Sequence, residues 1–157
     1  MRSLKRMFAP PKFDDEFKTQ QAYMLHIILW TLIFVPIPYA IYTLVLNPEG
    51  LPRALAQAAF GEVANILLLA TLHRGFVNAA CILQVSVFWL FFTVSAFTGN
   101  GVQGEAYLIG YTLVITIAGI LLGGTGALVY TILSLGAGTF MVYMQTQGAI
   151  GNGSISS

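Results

Sequence analysis

Beyond residue 22 the chain alternates long apolar runs with short polar breaks. Five runs have the length of a membrane-crossing helix: Tyr23 to Leu46, Ala54 to Leu72, Phe76 to Phe97, Ala106 to Leu122 and Ala127 to Met144. Each holds about 17 to 24 residues, the number that a helix needs to cross a hydrocarbon core of roughly 30 Å. The breaks are Asn47-Pro48-Glu49-Gly50, His73-Arg74-Gly75, Thr98-Gly99-Asn100-Gly101 and Gly123-Gly124-Thr125-Gly126. Gly, Pro and Asn at such density mark turns, and turns this short make successive spans antiparallel neighbours. The pattern predicts an all-α integral membrane protein, a bundle of five transmembrane helices joined by short loops. Residues 22–146 form the membrane domain, 1–21 a basic, amphipathic N-terminal arm, and 147–157 a flexible tail rich in Gly, Ser and Asn.

Composition agrees with the pattern. Of 157 residues, 57% are hydrophobic and 8% charged, against about 25% charged in soluble domains. A net charge of +1 gives no reason to expect a nucleic-acid partner. The first apolar run is long enough to span, so it reads as a signal-anchor and not a cleaved leader. Within the arm, Pro10-Pro11 interrupts any helix, and Asp14 or Asp15 can cap one that runs through Phe17 and Lys18.

Charge placement orients the bundle. Arg2, Lys5, Arg6, Lys12 and Lys18 lie in the arm, Arg74 lies in the second break, and the opposite-side breaks hold only Arg53. Basic residues collect on the cytoplasmic side, so the N-terminus is expected in the cytoplasm and the tail outside. The expected home is a bacterial inner membrane.

Glu62 stands out within the second span. Ala54, Gln57, Ala58, Gly61 and Asn65 share its helical face, and the opposite face is Leu, Ile, Val and Phe. A carboxylate at mid-membrane depth costs several kcal/mol unless neutralised or paired, so this face should meet protein or a wet cavity. Counting outward from the turns places Asn65 level with Gln84, and Glu62 level with Ser86, Val87 and Pro38, near Tyr39. Pro36 and Pro38 should kink the first span and free backbone carbonyls there. One polar layer of Glu62, Asn65, Gln84, Ser86 and Tyr39 follows. It reads either as hydrogen-bonded glue between three helices or as a small polar pocket reached from outside. A proton relay is disfavoured, because residues 66–69 carry nothing to continue it.

The remaining polar groups give weaker signals. His26 and His73 belong to no spaced ligand cluster and read as interfacial side chains. Cys81, alone in an apolar run, reads as a small buried hydrophobe. Thr112, Thr116, Gly119 and Gly123 form one small-residue stripe, and Ala127, Thr131, Ser134 and Gly138 form another. Such stripes let helices approach closely, within one chain or across a dimer seam. No nucleophile–base pair, phosphate loop or metal motif is present, so no enzyme activity is expected and no cofactor is indicated. Trp30, Trp89 and the phenylalanines read as packing or lipid-facing groups, with lipid or pigment contact left open.

A family resemblance adds to this. The run Pro11-Lys12-Phe13-Asp14-Asp15-Glu16-Phe17-Lys18-Thr19-Gln20-Gln21-Ala22-Tyr23-Met24-Leu25 resembles the entry to membrane-embedded input regions of bacterial multi-span sensor histidine kinases, related to regions in diguanylate cyclases. Arg74-Gly75-Phe76-Val77-Asn78, Gly99-Asn100-Gly101-Val102 and Ala118-Gly119-Ile120-Leu121-Leu122-Gly123 are similar too. The likeness covers roughly residues 10 to 148 and is one of layout and short local patterns. In that family a sixth span leads to cytoplasmic PAS and kinase domains. The resemblance therefore implies a non-catalytic signal-input module, here lacking the sixth span and the kinase, that works by helix displacement and partner contacts. The competing expectation is a small accessory subunit of a respiratory or photosynthetic membrane complex. Either way the partners are lipids and other membrane proteins, in a homo- or hetero-oligomer. Internal repeats and paired broken helices, the marks of a transporter, are missing.

Overall fold

The computed structural model describes residues 11, 13–46, 51–98 and 101–147, and only the backbone of Tyr39, Arg53, Ala54, Gln57, Glu105 and Ala106. Most of the basic arm, the tail beyond 147, the whole link 47–50 and residues 99–100 of another lie outside the described residues. Those described are helical apart from short turns: α1 (Glu16–Phe34), α2 (Pro36–Leu46), α3 (Leu51–His73), α4 (Val77–Thr98), a 3₁₀ turn (Gly101–Gln103) and α5 (Glu105–Thr146). Three stretches are long and apolar enough to cross a membrane, Glu16–Leu46, Val77–Thr98 and Tyr107–Thr146, and Ala58–His73 is a shorter apolar helix. In the most apolar windows of the three, only 18%, 28% and 22% of residues are buried. Large apolar surface left uncovered on every long helix suits lipid and not water. This is a helical membrane protein.

The chain divides into two compact units, residues 1–84 and 85–157. In the first unit, Asp15 caps α1, its carboxylate accepting from the backbone N–H of Phe17 at 2.9 Å and of Lys18 at 3.5 Å. The helix therefore begins well before the apolar run, because capping sets where a helix starts and hydropathy only where it meets lipid. Thr19 pins the entry segment. Its Oγ1 accepts from the Phe13 N–H at 2.9 Å, and its hydroxyl donates to the Phe13 carbonyl at 3.0 Å. Lys18 lies 4.8 Å over the Phe13 ring.

Val35 separates α1 from α2. Its N–H still donates to the Thr31 carbonyl at 3.0 Å, and Pro36 opens the next helix. Pro36 and Pro38 have no N–H to return to Leu32 and Phe34, so two carbonyls lose their helical donors. The core of the unit follows the 3.6-residue period. Ala22, Leu25, His26 and Leu29 are buried on α1, and Asn65, Leu68, Leu69 and Leu72 on α3. These two helices pack together, and α2 packs on α3. α3 ends at the left-handed Gly75, φ 88°, whose N–H reaches the Leu72 carbonyl at 3.0 Å. Val77, Ala80, Cys81 and Gln84 form the buried face of the part of α4 that belongs to this unit.

In the second unit α5 consists of two helical arms that meet at Gly123, where the chain reverses direction with φ 74° and ψ −171°, a conformation that essentially only glycine adopts. The arms 105–122 and 124–146 then run antiparallel. A Cβ on Gly138 would fall on the Tyr107 hydroxyl, and one on Gly119 would lie 3.7 Å from the Ala127 Cβ. The turn is tighter than the expected four-residue link: Gly123 supplies the conformation, and a Cβ at Gly126 would fall on the Leu122 side chain and lie 3.2 Å from the Ala118 carbonyl. The α4 residues of this unit pack on both arms. A Cβ at Gly110 would overlap the Phe92 ring, and Phe97 stacks on Phe140 with centroids 6.4 Å apart. Ala96 and Met141 form a buried centre beneath Val102, Tyr107 and Met144.

Candidate functional site

In the first unit, polar side chains sit on the faces that build its core. Asn65 keeps 6% of its surface exposed, His26 5% and Gln84 none. Gln84 is one turn beyond Cys81 on the buried stripe of α4. Its Oε1 and Nε2 are both enclosed and make no hydrogen bond among the described residues. An enclosed amide without partners costs roughly 2 to 7 kcal/mol, so Gln84 is the group in this unit with most to gain from a water or a polar ligand.

Glu62 is less enclosed than Gln84. It lies at the edge of the α3 stripe, half-buried, with no hydrogen bond or ion pair among the described residues. Asn65, one turn further on, takes the buried position. Ser86 belongs to the second unit, where its hydroxyl meets that of Tyr130 at 2.7 Å. The Tyr39 side chain lies outside the described residues. Of the five layer residues, Asn65 and Gln84 are thus buried in the first unit, Glu62 flanks it, and Ser86 has a tyrosine partner elsewhere.

A second polar system joins the helices of the second unit. Thr93 Oγ1 donates to the Trp89 carbonyl at 2.7 Å and contacts the Tyr111 hydroxyl at 2.7 Å. With its one proton engaged by the carbonyl, Thr93 accepts from the Tyr111 O–H. Trp89 stacks on Tyr111 at 6.4 Å, and Tyr107 meets Tyr111 edge-on at 4.9 Å. Tyr107 lies in the space that Gly138 leaves open. Ser134 is buried, with its Oγ unpartnered. Gly119 and Gly138 meet groups of this same chain, and Gly123 is the reversal itself. Sequence reasoning passed over this tyrosine system. Folding the chain at Gly123 would have paired Tyr107 with Gly138, so the signal was present.

His26 departs from the interfacial reading, whereas His73 is exposed at the end of α3. His26 is buried in the α1 stripe, and its ring meets His73 edge-on with centroids 5.8 Å apart. Trp30 stands on its other side at 6.2 Å. His73 Nδ1 lies 2.8 Å from the Leu69 carbonyl. A carbonyl only accepts, so Nδ1 carries the proton there. The antiparallel packing of α1 and α3 brings the two rings together, which their separation in sequence hides.

Among the described residues, no three His, Cys, Asp or Glu side chains gather as a metal site. An open cleft of about 220 Å³ beside Thr93, Phe97, Ala137, Phe140 and Met141 is lined by apolar surface alone. No family model, curated protein or solved structure matches this chain.

Proposed function

We propose that this chain is a non-catalytic, membrane-embedded signal-input module. It crosses a bacterial inner membrane five times, its N-terminus lies in the cytoplasm, and it acts by helix displacement passed to a partner. Two further spans than the long apolar stretches count come from α3 and from the reversal of α5 at Gly123. The observation that carries the reading is Gln84, an amide sealed in a helical core without a partner. Such a group ties core packing to whatever satisfies it, which an inert spacer does not require. Pro36, at the break between α1 and α2, supplies a place for the first span to bend. The resemblance of the Pro11–Leu25 entry to sensor-kinase input regions points the same way.

Isolation from native membranes tests this against the accessory-subunit reading. Recovery with a kinase or nucleotide-cyclase output protein supports an input role. Stoichiometric recovery with a haem- or pigment-bearing complex overturns it.

A further inference from the structure

The geometry points to a divalent transition-metal site held by His26 and His73, at the end of the first unit where α3 turns at Gly75. Three observations carry it. The ring centroids are 5.8 Å apart. With metal–nitrogen bonds near 2.1 Å, two imidazoles on one ion have centroids about 5 to 6.4 Å apart, from a tetrahedral to a linear arrangement. The spacing falls inside that window, so the two rings are close enough to share one ion.

The second observation is the bond from His73 Nδ1–H to the Leu69 carbonyl. It fixes the tautomer and leaves Nε2 as the lone-pair nitrogen of the neutral ring. Ligating histidines are oriented in this way by a carbonyl or carboxylate on the other nitrogen. The third is position. His26 is buried on the same α1 stripe as Leu25 and Leu29, with the Trp30 ring edge-on at 6.2 Å, while His73 is exposed. One ligand is preorganised, and the other opens the site to water and to an entering ion.

Two imidazoles with water completing the shell suit Cu²⁺ first, then Ni²⁺ and Zn²⁺, and exclude Mg²⁺ and Ca²⁺, which take oxygen ligands. Arg74, next to His73 and exposed, opposes a cation by charge, so the site selects for strong nitrogen affinity and not for charge alone. A bound ion would tie α1 to α3 at one end of their packed faces. This holds whether or not the input reading does.

The test uses the full chain in nanodiscs, with an affinity tag free of histidine. Calorimetric titration with Cu²⁺ and Zn²⁺ should show one equivalent per chain and no heat with Mg²⁺. The electron paramagnetic resonance spectrum of the Cu²⁺ form should carry hyperfine structure from two imidazole nitrogens. His73→Gln lies on an exposed position and should keep its fold, checked by circular dichroism. It should weaken binding by about tenfold or more and leave one nitrogen in the spectrum. Wild-type affinity in His73→Gln, a spectrum without imidazole nitrogen, or failure of the unaltered chain to take up an equivalent overturns the site.

Discussion

Two glycines on one arm of α5 should respond in opposite ways to the same methyl group. At Gly136 an added Cβ meets nothing within 4 Å, whereas at Gly138 it would fall on the Tyr107 hydroxyl and lie 2.8 Å from the ring carbon that bears it. Alanine favours helix over glycine by about 1 kcal/mol at either place. Gly136→Ala keeps that gain. At Gly138 the phenol must leave, and it is a rigid plate with no flexible end to fold away. Overpacking of this kind costs about 1 to 3 kcal/mol. Displacing Tyr107 also loosens its edge-on contact with Tyr111, worth roughly 0.5 to 1.5 kcal/mol. After the helix gain is set against these losses, Gly138→Ala should be destabilised by roughly 1 to 3 kcal/mol. The two alanine variants should therefore stand apart by roughly 2 to 4 kcal/mol. Unfolding of both, side by side, in mixed micelles of rising denaturing-detergent fraction would read the difference. If Gly138→Ala resists unfolding as well as Gly136→Ala, Tyr107 does not occupy that space and the antiparallel pairing of the arms is wrong.

Gly123→Ala should cost about 1 to 3 kcal/mol, since φ 74° with ψ −171° is a backbone region essentially reserved for glycine even where no neighbour crowds a Cβ; unchanged unfolding would show that the reversal lies elsewhere. Tyr111→Phe should lose about 0.5 to 1.5 kcal/mol, and the double variant with Thr93→Val should lose less than the two single losses added together, because the pair shares one hydrogen bond. Additive losses in that cycle would separate the two groups. Gln84→Leu should be neutral or stabilising in detergent, where the enclosed amide has no partner, and destabilising in native lipid if a bound water or ligand satisfies it there. Destabilisation in both settings would mean that the amide has a protein partner.

Much of the helical layout was legible because it depends on the most local signals. The second and third apolar runs agree with α3 and α4 to within a few residues, and the proline pair falls where α1 gives way to α2. Asp15 was one of two named capping candidates and is the cap. What the sequence hid depends on pairing between helices. His26 and His73 are far apart along the chain, and each looks interfacial alone; antiparallel packing makes them neighbours. Thr93 and Tyr111 are ordinary polar residues until the turn at residues 101–104 sets them opposite each other. The break at 123–126 is shorter than a four-residue link, since Gly123 turns the chain in an uncommon conformation and Gly126 leaves room for Leu122 in the helix that follows.

The placement of Glu62 and Gln84 follows from what each costs to bury. Sequence reasoning gave Glu62 the organising role because a carboxylate is the most expensive group to place in lipid. That same expense works against enclosing it when no cation is at hand. Among the described residues Glu62 meets no ion-pair partner and lies half-buried at the edge of its helix face. Gln84 offers a donor and an acceptor without a charge, so full enclosure costs it a few kcal/mol where an ionised acid would cost far more. Lysine and arginine are also missing from the described core, which leaves neutral amides, hydroxyls and imidazoles as the polar groups that the interior can hold. On the proposed input role, a ligand that reached Gln84 or Asn65 would be read through hydrogen bonding and not through charge, with Glu62 at the margin.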